Sequence, residues 1–138
     1  MFRAFADVQT AAMLNLPRPR LKGDKATVVA CPMSDTQYAI QEQLVARYEA
    51  IRSGTVKPWE DNALAITTDG RKLALEARLL SPTAEDFPGS KINALVERVV
   101  ATWEVTAPQR GTQLIFSDLG VNPTPWGFCV YEEISSST

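Results

Sequence analysis

The most regular hydrophobic pattern in the chain is carried by Ile92, Leu95, Val96, Val99, Val100 and Trp103, which follow one another at spacings of 3, 1, 3, 1 and 3 residues. That is the stripe of one helical face. It opens after Pro88-Gly89-Ser90 and ends before Pro108. A second helix is predicted at Ser34-Asp35-Thr36-Gln37, which has the spacing of a capping box. It sets Ile40, Leu44, Tyr48 and Ile51 on one face, flanked by Val45, and stops at Ser53-Gly54. Its remaining Gln, Glu and Arg positions read as a solvated face. Residues 55–69 read as a connector. A further helix is predicted from about Gly70 to Leu80, with Leu73, Ala77 and Leu80 inward and Ser81-Pro82 as its break. A last short helix is predicted to open on Thr124 as cap and Pro125 as first residue, with Phe128, Tyr131 and Ile134 as its inner face.

Two stretches carry strand signals instead. Ala26–Cys31 is β-branched and apolar, and Thr112-Gln-Leu-Ile-Phe-Ser117 is a continuous apolar run after Gly111. The order strand, helix, helix, helix, strand, helix predicts an α/β fold that is helix-rich, with few strands and a sheet still lacking its partner strand. Residues 1–26 show no sustained period, and Pro17 and Pro19 force an extended linker. Residues 27–134 form the expected lobe, and 135–138 a tail.

Composition narrows the chemistry. The chain has 138 residues, enough for one core, with 14 basic and 16 acidic side chains and a net charge of -2. That balance argues against nucleic-acid binding by bulk charge. It has no histidine. Ser-His-Asp and Cys-His catalysis, histidine-ligated zinc and imidazole acid–base steps are therefore excluded, and a small hydrolase has little to build on. Its two cysteines, Cys31 and Cys129, stand far apart in apolar settings and read as reduced, small buried hydrophobes, as in a cytoplasmic protein. The opening Met-Phe-Arg-Ala-Phe-Ala-Asp turns polar too soon for a signal peptide.

Few residues stand out as candidates for binding or catalysis. Gly89-Ser90-Lys91 comes nearest to an anion site at a helix start, against the plainer reading of a cap with an exposed lysine. The acid pairs Glu60-Asp61, Glu85-Asp86 and Glu132-Glu133 read as solvated surface, with no motif to part their pKa values. Ser117 and Asp118 follow a predicted buried strand, where ligands bind in open α/β sheets, although turn formation explains them as well. Arg18, Arg20 and Lys22, with Lys25, form a basic cluster in the linker that could track a phosphate backbone or simply keep the segment solvated. Trp59 and Trp126 each follow a proline, and docking onto the fold competes with base stacking. No catalytic or metal-ligating residue is predicted.

Taken together, the order of these pieces resembles the linker and first half of the second RecA-like lobe of Swi/Snf-type DNA helicases and translocases. Leu16-Pro17-Arg18-Pro19, Val28-Val29, Met33-Ser34-Asp35-Thr36-Gln37-Tyr38, Leu75-Glu76-Ala77-Arg78-Leu79-Leu80-Ser81-Pro82, Ser90-Lys91-Ile92-Asn93-Ala94-Leu95 and Gly111-Thr-Gln-Leu-Ile-Phe-Ser-Asp118 stand where that family has its motifs up to motif IV. The family's Cys-Asn-His ahead of the proline is absent, and Asp118 stands where the family often has Gln. Ile66-Thr-Thr-Asp-Gly-Arg-Lys72 and Gly127-Phe-Cys-Val-Tyr131 resemble a branch in large phage- and plasmid-borne proteins that join an adenine-specific DNA methyltransferase to such a helicase.

The resemblance implies a fragment of an ATP-dependent DNA motor. ATP and Mg would belong to the parent protein, DNA and the remaining helicase lobes would be its partners, and Lys91, Ser117 and Asp118 would lie near the DNA. The phosphate loop, acidic metal motif, arginine finger and glycine-rich coupling motif are all missing from this stretch. The piece alone is thus expected to be inactive and to need no cofactor. The alternative is a stand-alone protein-interaction module without DNA or nucleotide binding. Under either reading an exposed sheet edge would favour self-association.

Overall fold

The computed structural model describes residues 13–14 and 22–137. The chain divides into two compact units, Met1–Ala30 and Cys31–Thr138. In the first, Lys22–Asp24 forms a 3-10 turn with Gly23 and Asp24 at φ 77 and 57°, and residues 26–30 that follow form no helix or strand among the described residues.

The second unit is built from four helices: α1 (Asp35–Arg52), α2 (Ala63–Leu75), α3 (Lys91–Thr106) and α4 (Val130–Ser136), with 3-10 turns at Ala77–Leu79 and Ala107–Gln109. Among the described residues there is no strand and no sheet. The α/β, RecA-like expectation is therefore corrected: this is a small all-helical domain. Neither predicted strand forms: 26–31 and 112–116 belong to no helix or ladder, and neither makes a backbone hydrogen bond to any described residue. An apolar run can specify extended chain, but a strand also needs a partner.

Helix starts follow the caps. Ser34 Oγ accepts from Gln37 N at 3.2 Å, and Gln37 Oε1 accepts from Ser34 N at 2.9 Å, closing the predicted capping box. Ser90 Oγ accepts from Asn93 N at 3.1 Å and opens α3. Two boundaries differ from the expectation. The helix predicted at 70–80 begins at Ala63, because Asn62 Oδ1 accepts from Ala65 N at 2.9 Å. It ends at Leu75, because Glu76 turns extended (φ -160°, ψ 130°). Thr124 closes a turn instead of a helix, accepting from Gly127 N on its carbonyl at 2.9 Å and from Phe128 N on its hydroxyl at 3.0 Å. Gly127, at φ 89°, prevents continuation, and α4 starts only at Val130.

The apolar side chains gather in two clusters. Leu44, Ile66 and Leu73 join α1 to α2, with Ile40, Ile51 and Leu80 around them. Leu79, Ile92, Val130 and Ile134 join the 77–79 turn to α3 and α4, with Leu75, Leu95, Val96, Ile115 and Phe128 around them. The predicted inner face of α1 needs one change. Tyr48 and Val45 are about half exposed, and Arg47 takes the inward position between Leu44 and Ile51. Among the described residues no helix is long and apolar enough to cross a membrane.

Candidate functional site

Two arginines organise the charge. Arg47 on α1 donates from Nε and Nη2 to Asp61 at 2.6 and 2.9 Å and from Nη1 to Asp69 on α2 at 2.8 Å. This fork raises the Arg47 pKa above its ordinary value and holds the Asp61 carboxyl below the usual carboxylate range. Arg78, on the 77–79 turn, reaches Glu76 at 3.3 Å, Asp86 at 2.9 Å and Glu133 on α4 at 2.8 Å. Its guanidinium also lies over the Phe128 ring, 4.5 Å from the centroid. Trp126 Nε1 donates to the Arg78 carbonyl at 2.9 Å. Burial alone would lower the Arg78 pKa, but the hydrogen bonds to Glu76 and Glu133 outweigh it, so the net shift is upward.

Three carboxylates thus converge on one guanidinium, and Glu76 is only 3% exposed. The guanidinium supplies the positive charge they require, and among the described residues no group of acidic, cysteine or histidine side chains is arranged to hold a metal. Each predicted acid pair turns out to be divided. Asp61, Asp86 and Glu133 bind arginines, while Glu60, Glu85 and Glu132 face solvent. Neither arginine was singled out for this role by the sequence, since neither its depth nor its distant acids can be read from spacing.

Lys91 is the exposed first residue of α3, beside the cavity of about 340 Å³ that Cys31, Leu44 and Leu73 help line. Ser117 and Asp118 lie elsewhere. Ser117 Oγ donates to the Leu119 carbonyl at 2.8 Å, and its amide donates to Tyr131 Oη at 3.1 Å. Asp118 pairs with Arg71 across an exposed surface and borders a separate cavity with Gly120 and Trp126. The three predicted DNA-proximal residues therefore line no common pocket. Arg18 and Arg20 lie outside the described residues, and Lys22 begins the 3-10 turn of the first unit. Of the two prolyl-adjacent tryptophans, Trp126 docks on the Arg78 carbonyl, while Trp59 is 78% exposed beneath Lys57 Nζ, 5.2 Å from its ring centroid.

The most conspicuous surface is apolar. The α3 stripe is covered at its start, where Ile92 is 1% exposed, and bare at its end, where Trp103 is 60% exposed. At Arg110 (φ 55°) and Gly111 the chain reverses. A Cβ on Gly111 would stand 2.5 Å from Thr106 Cβ, so a larger residue would force the reversal open. Gln113 Nε2 then donates to the Val99 carbonyl at 2.9 Å, tying the following segment to α3. Along 112–118 exposure alternates with a period of two: Gln113, Ile115 and Ser117 are half-buried, and Thr112, Leu114, Phe116 and Asp118 are exposed. Leu114 and Phe116, at 77 and 85% exposure, present apolar side chains to solvent. Such a surface marks a contact site more often than a surface of scattered single residues does.

Neither a scan of known protein families, nor a search of curated proteins, nor a search of solved structures finds a match to this chain.

Proposed function

We propose that the chain is a non-catalytic helical module that binds another protein through the uncovered apolar surface formed by the end of α3 and residues 112–117. The observation that carries this reading is the exposed Leu114 and Phe116 on a segment whose backbone groups at 112–116 have no partner among the described residues. An extended partner could add both backbone hydrogen bonds and apolar cover there. The arginines with the most elaborate pairing, Arg47 and Arg78, are taken up by internal carboxylates and serve the fold. Two free cysteines, Cys31 and Cys129, suit a cytoplasmic setting.

The test is selection of extended peptides from a displayed library, followed by amide chemical-shift mapping on the full chain. Shifts concentrated at 99–117, and a loss of affinity of about tenfold or more in Phe116→Ser, are expected. Failure to select any peptide, or shifts confined to other faces, would overturn the reading.

A second reading is a piece of an ATP-driven DNA motor, with ATP and Mg bound by other parts of the parent. It is favoured by the order of Met33-Ser34-Asp35-Thr36-Gln37, Ser90-Lys91 and the apolar 112–117 run followed by Asp118. Here Lys91, Ser117 and Asp118 would approach DNA. Fluorescence anisotropy with a labelled duplex discriminates between the two: saturable binding that weakens in Lys91→Glu supports the motor, and a flat titration supports the module.

A further inference from the structure

The cavity of about 340 Å³ beside Lys91 lies wholly within the Cys31–Thr138 unit, and its volume falls in the range of small-molecule sites. One wall is α1, through Gln37, Gln41 and Leu44, whose helical spacing puts them on one face. The other is α2, through Gly70, Leu73 and Ala74 at i, i+3 and i+4. Leu44 and Leu73 are buried and make this lining apolar. Cys31 and Met33 lie on the approach to α1, and Lys91 stands at the start of α3.

Two observations define the occupant. A glycine in the middle of a helix is costly, and Gly70 lacks the usual compensations: its φ is not positive, and a Cβ there would meet nothing within 4 Å. On the face it shares with Leu73 and Ala74, the missing side chain leaves the cavity open. The second observation is charge. Lys91 is the one charged residue of the lining, and it forms no ion pair with any described residue. The N-terminus of α3 adds partial positive charge beside it. From this arrangement we infer that the cavity binds a small apolar monocarboxylate, its chain against Leu44, Gly70 and Leu73 and its anionic head at Lys91. One cation suits one negative charge, and an apolar lining disfavours a multiply charged anion such as a phosphate ester. The site is separate from the proposed protein contact. It shares no residue with 99–117, and α3 rises about 24 Å over its 16 residues from Lys91 to Thr106.

Titration of the full chain with octanoate, followed by amide chemical shifts, should show saturable binding with a millimolar or tighter dissociation constant. The shifts should concentrate at 31–33, 70–75 and 90–91. Octylamine, with the same chain and the opposite charge, should bind at least about fivefold more weakly. Gly70→Leu should abolish octanoate binding while its melting temperature matches or exceeds that of wild type, because leucine favours a helix over glycine. Lys91→Glu should weaken octanoate about fivefold or more, with α3 retained, because an acid in the first turn suits the helix dipole. Loss of the site is thereby separated from loss of the fold, and Lys91→Glu still decides the matter if Gly70→Leu fails to fold.

The thiols supply a second readout. Cys31 lines the cavity and is half-buried, whereas Cys129 is buried. Octanoate should slow alkylation of Cys31 by iodoacetamide as the site fills, and octylamine at the same concentration should slow it less. A titration that stays flat to several millimolar, or shifts confined to other residues, would overturn the proposal. So would octylamine binding as tightly as octanoate, a folded Gly70→Leu that binds octanoate like wild type, or Lys91→Glu with unchanged affinity. Unprotected alkylation of Cys31 at saturating octanoate would overturn it as well.

Discussion

The two ends of α3 carry one continuous hydrophobic stripe and meet opposite fates. At the start, Ser90 caps the helix, Asn93 Nδ2 donates to Asp86 and to the Phe87 carbonyl, and Ile92 is 1% exposed against Leu79, Val130 and Ile134. At the far end, Trp103 and Val105 are 60 and 75% exposed, and the chain returning from Gly111 covers only part of the stripe. The contrast teaches that helical periodicity says which side of a helix is suited to burial, while cover depends on what the rest of the chain brings to it.

The sharpest way to break the closed end is through its arginine. Arg78→Met keeps much of the side-chain length but leaves the buried Glu76 carboxylate without its cation, and a loss of about 3–5 kcal/mol is expected in denaturant unfolding. Ile92→Ala should cost about 2–5 kcal/mol by the same measurement, since it opens a cavity in the tightest part of the core. The Arg47–Asp61 pair makes a subtler contribution, read as a pH trend. Asp61 is held below the usual carboxylate range in the folded state, so its contribution is present above the unfolded carboxylate pKa of about 3.9. It is lost as pH falls through the lower, folded value. Wild type should therefore be more stable than Asp61→Asn at neutral pH, with the gap closing in acid melts. At the open end Trp103→Ala should move stability by no more than about 0.5 kcal/mol, as exposed positions do. A large loss there would mean the stripe is covered after all.

What was legible in the sequence was local chemistry. Ser34 with Gln37 and Ser90 ahead of Ile92 each announce a helix start, because capping is settled within a few residues. Asn62 carries the same signal inside the predicted connector 55–69, where its side chain caps α2. Partnership was not legible. Thr112–Ser117 has the composition of a buried strand, yet no ladder forms, and nothing in six residues says whether a neighbour exists. The inward face of α1 went to Arg47 over Tyr48 for a related reason: an arginine can occupy the inner side when Asp61 and Asp69 from the following connector and helix meet it. The candidate surface was only half visible, as two apolar stretches without a hint that both would remain bare.

The three tryptophans sit in three different settings, and this makes the molecule its own spectroscopic gauge. Trp59 stacks under Lys57 in the connector, Trp103 stands on the open end of α3, and Trp126 is tied by its indole N–H to the Arg78 carbonyl. Single-tryptophan versions would separate their emission. The Trp126 signal would follow melting of the arginine hub, the Trp103 signal would shift to the blue when a partner covers the apolar end, and Trp59 would serve as an internal standard for both.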